Sequence, residues 1–208
     1  SFVGMHPIPV VYGMTIGELA KMINGEGWLA DDVQCDLTVI PCKNYSRGMP
    51  VSLPVKPSPN LPNDQAVRLY PSLCFFEGTV ISVGRGTLFP FQVYGHPVLP
   101  GRFSFTPEST PGMALHPKLE GEVCYGKDLR TFSPAGRWDQ LHLAWLLDAY
   151  KEYTGEEPFF NSYFTQLAGT RRLQEQVEAG MPEAAIRAGW EPELKHFKQK
   201  RLKYLIYE

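Results

Sequence analysis

The sequence predicts a mixed α/β (α+β) chain, with a helix–strand pair at the front, an irregular β-rich middle and a helical last third. Three observations carry this. A capping box opens an amphipathic stretch at Thr15. Prolines and glycines, 19 of each in the chain, punctuate short extended runs between residues 44 and 131 and leave no room there for a long helix. From residue 138 onward apolar residues recur at helical spacing, with glycines where helices should stop.

Each element follows from local chemistry. In Thr15-Ile16-Gly17-Glu18 the Thr hydroxyl is placed to accept from the Glu18 N–H, and the Glu18 carboxylate to accept from the Thr15 N–H. Met14 and Leu19 are spaced for a hydrophobic staple, and Gly25 and Gly27 end a helix over residues 15–24. Leu37-Thr38-Val39-Ile40 reads as a short buried strand stopped by Pro41, which makes this helix–strand pair one half of an α/β repeat. Strand-like runs follow at residues 74–76, 79–83, 91–94, 102–106 and 122–125, each bounded by Gly or Pro. Residues 138–153 place Trp138, Leu141, Trp145 and Ala149 on one helical face, with Gly155 suited to the C′ position. Shorter helices are expected at 171–179, at 182–188 and from Pro192, and residues 203–207 read as a docking strand or tail.

A chain of 208 residues, 43% hydrophobic and 20% charged, can bury a core without staples and is not disordered. Twenty basic residues against 22 acidic ones give no footprint for a nucleic acid or an anionic membrane surface, so no nucleic-acid partner is expected. No run approaches the ~18 apolar residues of a membrane span. The opening Ser1-Phe2-Val3-Gly4-Met5-His6-Pro7 has neither the basic region nor the apolar core of a signal peptide. It lies inside an extended Pro-rich stretch, and a processed or truncated product is expected. The four cysteines form no CxxC pair and have no histidine at zinc spacing, so a structural zinc site is not expected. Cys74 reads as a small buried hydrophobe, and Cys35 and Cys42 are held apart by the strand between them.

No dinucleotide, P-loop, nucleophile-elbow or HExxH signature is present. The densest segment runs from Phe75 to Thr87. Glu77 is a lone carboxylate between apolar runs, and such a group must find a partner, stay neutral or open onto a cleft. Arg85, between Gly84 and Gly86, is its natural partner, because flanking glycines let a backbone and guanidinium approach a ligand closely. These residues alone leave two readings open: a general acid beside its arginine, or an ion pair bracing a turn. Lys56-Pro57-Ser58-Pro59-Asn60-Leu61-Pro62 presents Ser58 and Asn60 on a stiff path that would suit sugar hydroxyls, or serves as a rigid connection. The five histidines are scattered; His6, His96 and His116 each precede Pro in turns and are candidates for ligand contact.

Several of these stretches occur together and in order. Gly13-Met14-Thr15-Ile16-Gly17-Glu18-Leu19-Ala20, Leu37-Thr38-Val39-Ile40-Pro41 and Pro57-Ser58-Pro59-Asn60-Leu61-Pro62 come first. Glu77-Gly78-Thr79, Gly84-Arg85-Gly86-Thr87-Leu88-Phe89-Pro90-Phe91, Leu167-Ala168-Gly169-Thr170, Ile186-Arg187-Ala188-Gly189-Trp190 and Lys203-Tyr204-Leu205-Ile206-Tyr207 follow. Over essentially its whole length the chain resembles the C-terminal portion of the exo-β-N-acetylmuramidase family of bacterial peptidoglycan hexosaminidases. The resemblance implies a glycoside hydrolase that releases N-acetylmuramic acid from non-reducing ends of peptidoglycan fragments, with no metal and no organic cofactor implied. It implies a Rossmann-like domain whose tail is residues 1–45, then a smaller α+β domain over 46–208, β-rich over 46–131 and helical over 132–208. The site would lie in the cleft between domains, completed by an N-terminal domain upstream of this chain, in a periplasmic or secreted protein. Without that domain the fragment is expected to be inactive. Glu77 would be catalytic; Arg85, Asn60, Ser58, Thr79 and His6 would bind the peptidoglycan-derived sugar. The chain departs from the pattern at Val80 and Val83, where many relatives have Asn and Glu. That departure keeps a second reading alive, a cell-wall sugar-binding or structural fragment without chemistry.

Overall fold

The structure, a computed structural model, describes residues 4–134 and 138–208. The first three residues of the extended opening, and residues 135–137 within the expected helical segment, lie outside the described residues.

The described residues form helices α1 (Ile16–Gly25), α2 (Asp64–Leu73), α3 (Ala144–Glu152), α4 (Phe164–Ala168), α5 (Arg172–Glu178), α6 (Glu183–Ala188) and α7 (Glu191–Arg201) and one small sheet. Strands β1 (Val93–His96), β2 (Phe103–Phe105) and β3 (Cys124–Asp128) pair antiparallel in the order β1-β3-β2. The fold is therefore α+β. The main core joins Leu69 and Leu73 of α2, Phe75 and Phe76 just beyond it, Leu146 of α3, Phe164 of α4 and Ile186 of α6, each at most 2% exposed. Each such side chain contributes roughly 1.5–3 kcal/mol by leaving water.

Helix α1 forms as its sequence dictates, with both halves of the capping box made: Thr15 N–H donates to Glu18 Oε2 at 2.7 Å, and Glu18 N–H to Thr15 Oγ1 at 3.4 Å. It buries only Glu18 and Met22. The front of the chain is instead tied to the tail by polar bonds. Ile206 and Tyr207 donate their N–H groups to Glu18 Oε1 at 2.8 and 3.3 Å, and Arg201 donates to Tyr12 O at 2.9 Å. Residues 203–207 thus dock as a tail and form no strand.

Several expectations are corrected. No strand forms at residues 37–40, because among the described residues no ladder partner lies beside them; Leu37 and Ile40 are 38% and 86% exposed. Ahead of this run, Asn24 supplies a substitute for a ladder, donating to Cys35 O and accepting from Cys35 N–H. The Pro-rich middle holds the ten-residue helix α2, capped by Asn63, whose side chain accepts from Ala66 N–H. Pro71 is tolerated in its last turn because Ala66, Leu69 and Leu73 all bury into the core. Residues 74–76 are not a strand but the start of a 3-10 helix, Cys74–Gly78, that continues α2. The run 79–83 contributes only isolated bridges, Thr79 to Phe160 and Ser82 to Gly95. Helix α3 starts at Ala144 rather than at Trp138 and is capped by Tyr153, so Gly155 falls beyond C′. Helix α4, absent from the expectations, packs on the 3-10 helix so tightly that a Cβ on Gly78 would strike the Phe164 backbone.

Candidate active site

Glu77 lies near the end of the 3-10 helix, and its neighbours decide where it points. Phe75 and Phe76, 2% and 0% exposed, turn into the core and leave the Glu77 side chain 23% exposed. Arg85 Nη2 donates to Glu77 Oε1 at 2.6 Å. The Arg85 side chain is 38% exposed, and a pair this open contributes about 1 kcal/mol or less to stability. The pair therefore does little for the fold and remains within reach of a ligand.

The turn that delivers Arg85 needs its glycines. Gly84 and Gly86 adopt φ of +74° and +82°, the left-handed region that side chains disfavour. A Cβ on Gly86 would sit 2.5 Å from Glu108 O, inside the contact made by Glu108 N–H on Gly86 O at 2.9 Å. Behind the turn the Arg85 guanidinium stands 5.1 Å from the ring centroid of Phe91, which meets Tyr70 edge-on at 4.9 Å. Phe91 is itself left-handed at φ +54°, strain of roughly 1–3 kcal/mol that persists only where surroundings over-determine it. Its N–H donates to Val83 O at 2.7 Å, and its side chain is 1% exposed.

Tyr70, Cys74 and Glu77 follow one another at helical spacing along one face. Burial raises the Tyr70 hydroxyl pKa, and the nearby Cys74 and Glu77 raise it further. Burial pushes the Cys74 thiol up to about 12, so it stays protonated and unreactive. Tyr70 and Tyr163, 37% and 38% exposed, are electrostatic neighbours and add amphipathic rings to the surface around Glu77.

The other expected residues fall into separate groups. Thr79 is fully buried; its hydroxyl donates to Phe76 O and accepts from Ile81 N–H, fixing the backbone just after Glu77. Ser58 Oγ accepts from Asn60 N–H at 3.2 Å, and Asn60 Nδ2 donates to Met113 O at 2.9 Å. Both thus shape the Pro-rich loop, and Asn60 ties it to the 107–121 loop that also covers Gly86. His6 stacks on Trp28 with ring centroids 5.3 Å apart, beside Lys200 on α7. Val80 is half-buried and Val83 is 4% exposed in the main core.

One residue had no signal in the sequence. Lys118 donates its ammonium to three backbone carbonyls, those of Phe76, Thr79 and Ile81. It also lines a surface cavity of about 510 Å³ with Thr79, Val80, His96, Glu157 and Asn161 among the walls.

Comparison with known proteins identifies the family. A family model described as "Exo-beta-N-acetylmuramidase NamZ, C-terminal" matches residues 68–207, and its N-terminal counterpart matches residues 1–65. The chain is 34% identical to the peptidoglycan β-N-acetylmuramidase NamZ of Bacillus subtilis (strain 168), covering all of this chain and 53% of that protein. It superposes on the crystal structure of a DUF1343 family protein of Bacteroides fragilis NCTC 9343 with a TM-score of 0.94 and 47% identity, covering 59% of that chain. A second DUF1343 protein of the same organism, 22% identical and 60% covered, shares the fold with a TM-score of 0.77. The chain thus spans little more than half the length of the relatives it matches. With the C-terminal family model alone covering residues 68–207, the chain belongs to the exo-β-N-acetylmuramidase family.

Proposed function

We propose that the chain forms the C-terminal portion of a glycoside hydrolase that releases N-acetylmuramic acid from non-reducing ends of peptidoglycan fragments. The observation that carries this reading is the half-exposed Glu77–Arg85 pair, set on a 3-10 helix end and a two-glycine turn beside Tyr70. In the resting pair Glu77 accepts a hydrogen bond from Arg85, the posture of a carboxylate that stabilises a cationic sugar or activates a nucleophile. To act as the acid instead, Glu77 must be released by Arg85 turning to another anion. The lactyl carboxylate of muramic acid is such an anion, and a guanidinium matches it bidentately. Tyr70 and Tyr163 would stack on sugar faces, and Asn60, Ser58 and Thr79 would shape the loops around the hydroxyls or acetamido group. His6 would join them only once a further domain closes over the front of the chain.

Glycoside hydrolysis needs a second group across the scissile bond, which this reading assigns to a Rossmann-like domain preceding the chain, with residues 1–45 as its tail. Ile16, Ile40 and Val55, 85%, 86% and 77% exposed, offer apolar surface for such a domain. The cleft between the domains would hold the site, in a periplasmic or secreted protein where peptidoglycan is met. A second reading, sugar binding without cleavage, is favoured by Val83, an apolar side chain buried in the core at a position where the resemblance implies Glu.

Glu77→Gln in the full-length protein separates the two. Gln keeps the shape but neither carries the charge nor delivers a proton, so turnover of a chromogenic N-acetylmuramic acid glycoside should fall roughly 10²–10⁴-fold at unchanged melting temperature. An unimpaired rate per folded molecule with a lowered melting temperature would falsify the catalytic assignment.

A further inference from the structure

Lys118 binds the backbone on either side of Glu77. Its three carbonyl acceptors belong to Phe76, Thr79 and Ile81, so they bracket Glu77 on both sides along the chain. The Phe76 and Ile81 contacts are 3.2 and 3.3 Å. The first of these carbonyls, which also accepts from the Thr79 N–H and hydroxyl, lies near the C-terminal end of the 3-10 helix, where the negative end of the helix dipole favours a cation. Among the described residues no carboxylate forms an ion pair with Lys118; carbonyl dipoles alone receive its charge directly. The charged and titratable groups facing it are Glu77 on the 3-10 helix, Arg85 on the glycine turn, His96 on β1 and Glu157 across the cavity.

We propose that Lys118 is a positioning residue for Glu77: by gathering the carbonyls of Phe76, Thr79 and Ile81 it holds the Glu77 backbone in its productive orientation. The proposal rests on Glu77 being the catalytic carboxylate. A misplacement on the order of 1 Å at a reacting group costs roughly 10²-fold in rate, so a backbone clamp one residue away controls turnover without touching substrate.

The clamp has a distinctive pH signature. An ammonium has three N–H groups for three acceptors, whereas a neutral amine has two and must release one carbonyl. Burial, opposed by Glu77 and aided by Arg85, lowers the Lys118 pKa to about 8 from 10.5. As pH rises through about 8 the folded clamp loses its proton while the unfolded chain keeps it to 10.5. In that window the unfolded state binds more protons, so this group makes the fold more stable as pH rises. Turnover and this contribution to stability therefore move in opposite directions, which a merely structural lysine does not produce.

The test is kcat and KM for a chromogenic N-acetylmuramic acid glycoside against pH, with melting curves, in the full-length protein and its Lys118→Met, Lys118→Arg and Glu77→Gln variants. We expect an alkaline fall in wild-type kcat near the Lys118 pKa of about 8, without a matching fall in melting temperature. Lys118→Met should lower kcat roughly 10–10²-fold per folded molecule while KM changes far less. Lys118→Arg, permanently charged, should move the alkaline fall upward. Wild-type kcat in Lys118→Met overturns the proposal, as does an alkaline fall left in place by Lys118→Arg. If Lys118→Met does not fold, the wild-type and Lys118→Arg profiles still decide. An active Glu77→Gln removes the catalytic reading and this proposal with it; an inactive Glu77→Gln beside unaltered Lys118 variants removes this proposal alone.

Discussion

Replacing Glu18 by Gln should unfasten the C-terminal tail from the first helix. The Glu18 side chain is 0% exposed and accepts from Thr15 N–H at 2.7 Å, Arg47 Nη2 at 2.6 Å, Ile206 N–H at 2.8 Å and Tyr207 N–H at 3.3 Å. Burial alone would raise its pKa. The Arg47 guanidinium and the backbone N–H groups of Ile206 and Thr15 outweigh that and hold the carboxyl at about 2 against an ordinary 4.5. Lowering a carboxyl by that much corresponds to on the order of 3 kcal/mol. Because the folded pKa lies below the unfolded one, this stabilisation is fully present above 4.5 and is lost as pH falls toward about 2. Gln cannot carry the charge and leaves Arg47, 25% exposed, facing a neutral amide. At neutral pH the variant should lose about 3 kcal/mol, or roughly 6–12 °C in melting temperature for a chain of this size. Calorimetry of both proteins at stepped pH, with Arg47→Met and the double variant completing a cycle, measures this. The wild-type advantage should shrink steadily as pH falls through the carboxylate range. An advantage of the same size in acid and at neutrality, or a coupling energy near zero, would refute the reasoning.

Thr15→Ala removes only the forward half of the capping box and should cost about 0.5–2 kcal/mol in denaturant unfolding. Ligand affinity of the full-length protein should barely change, and a large loss at constant melting temperature would place Thr15 in the site. Gly86→Ala forces a side chain onto φ +82° and toward Glu108 O, so it should destabilise by more than about 1 kcal/mol. It should also depress turnover by displacing Arg85; full activity in this variant would show that the guanidinium does not need its present placement.

The amino-acid sequence by itself determined those features whose partners lie within a turn or two. The Thr15–Glu18 capping box closes between residues three apart, and the stops at Gly180 and Gly189 lie just beyond α5 and α6. The Glu77–Arg85 pair was legible for a similar reason: its members lie eight positions apart, with glycines on either side of Arg85. Helix α2 carried readable signals in Asn63 and the Ala66, Leu69 and Leu73 spacing, but the count of prolines around it outweighed them. Tertiary structure decided whatever depends on a distant partner. Residues 37–40 have strand-forming side chains yet make no strand, because a ladder needs a neighbour and none of the described residues is beside them. Glu18 looks like an ordinary capping residue until residues 206 and 207 return to it, across 188 and 189 positions of chain. Lys118 meets its carbonyls across 37 to 42 positions, and backbone carbonyls leave no mark in a sequence. Local hydrogen bonds are encoded by residue type at fixed spacing, whereas a buried charge is satisfied by whatever the completed fold brings to it.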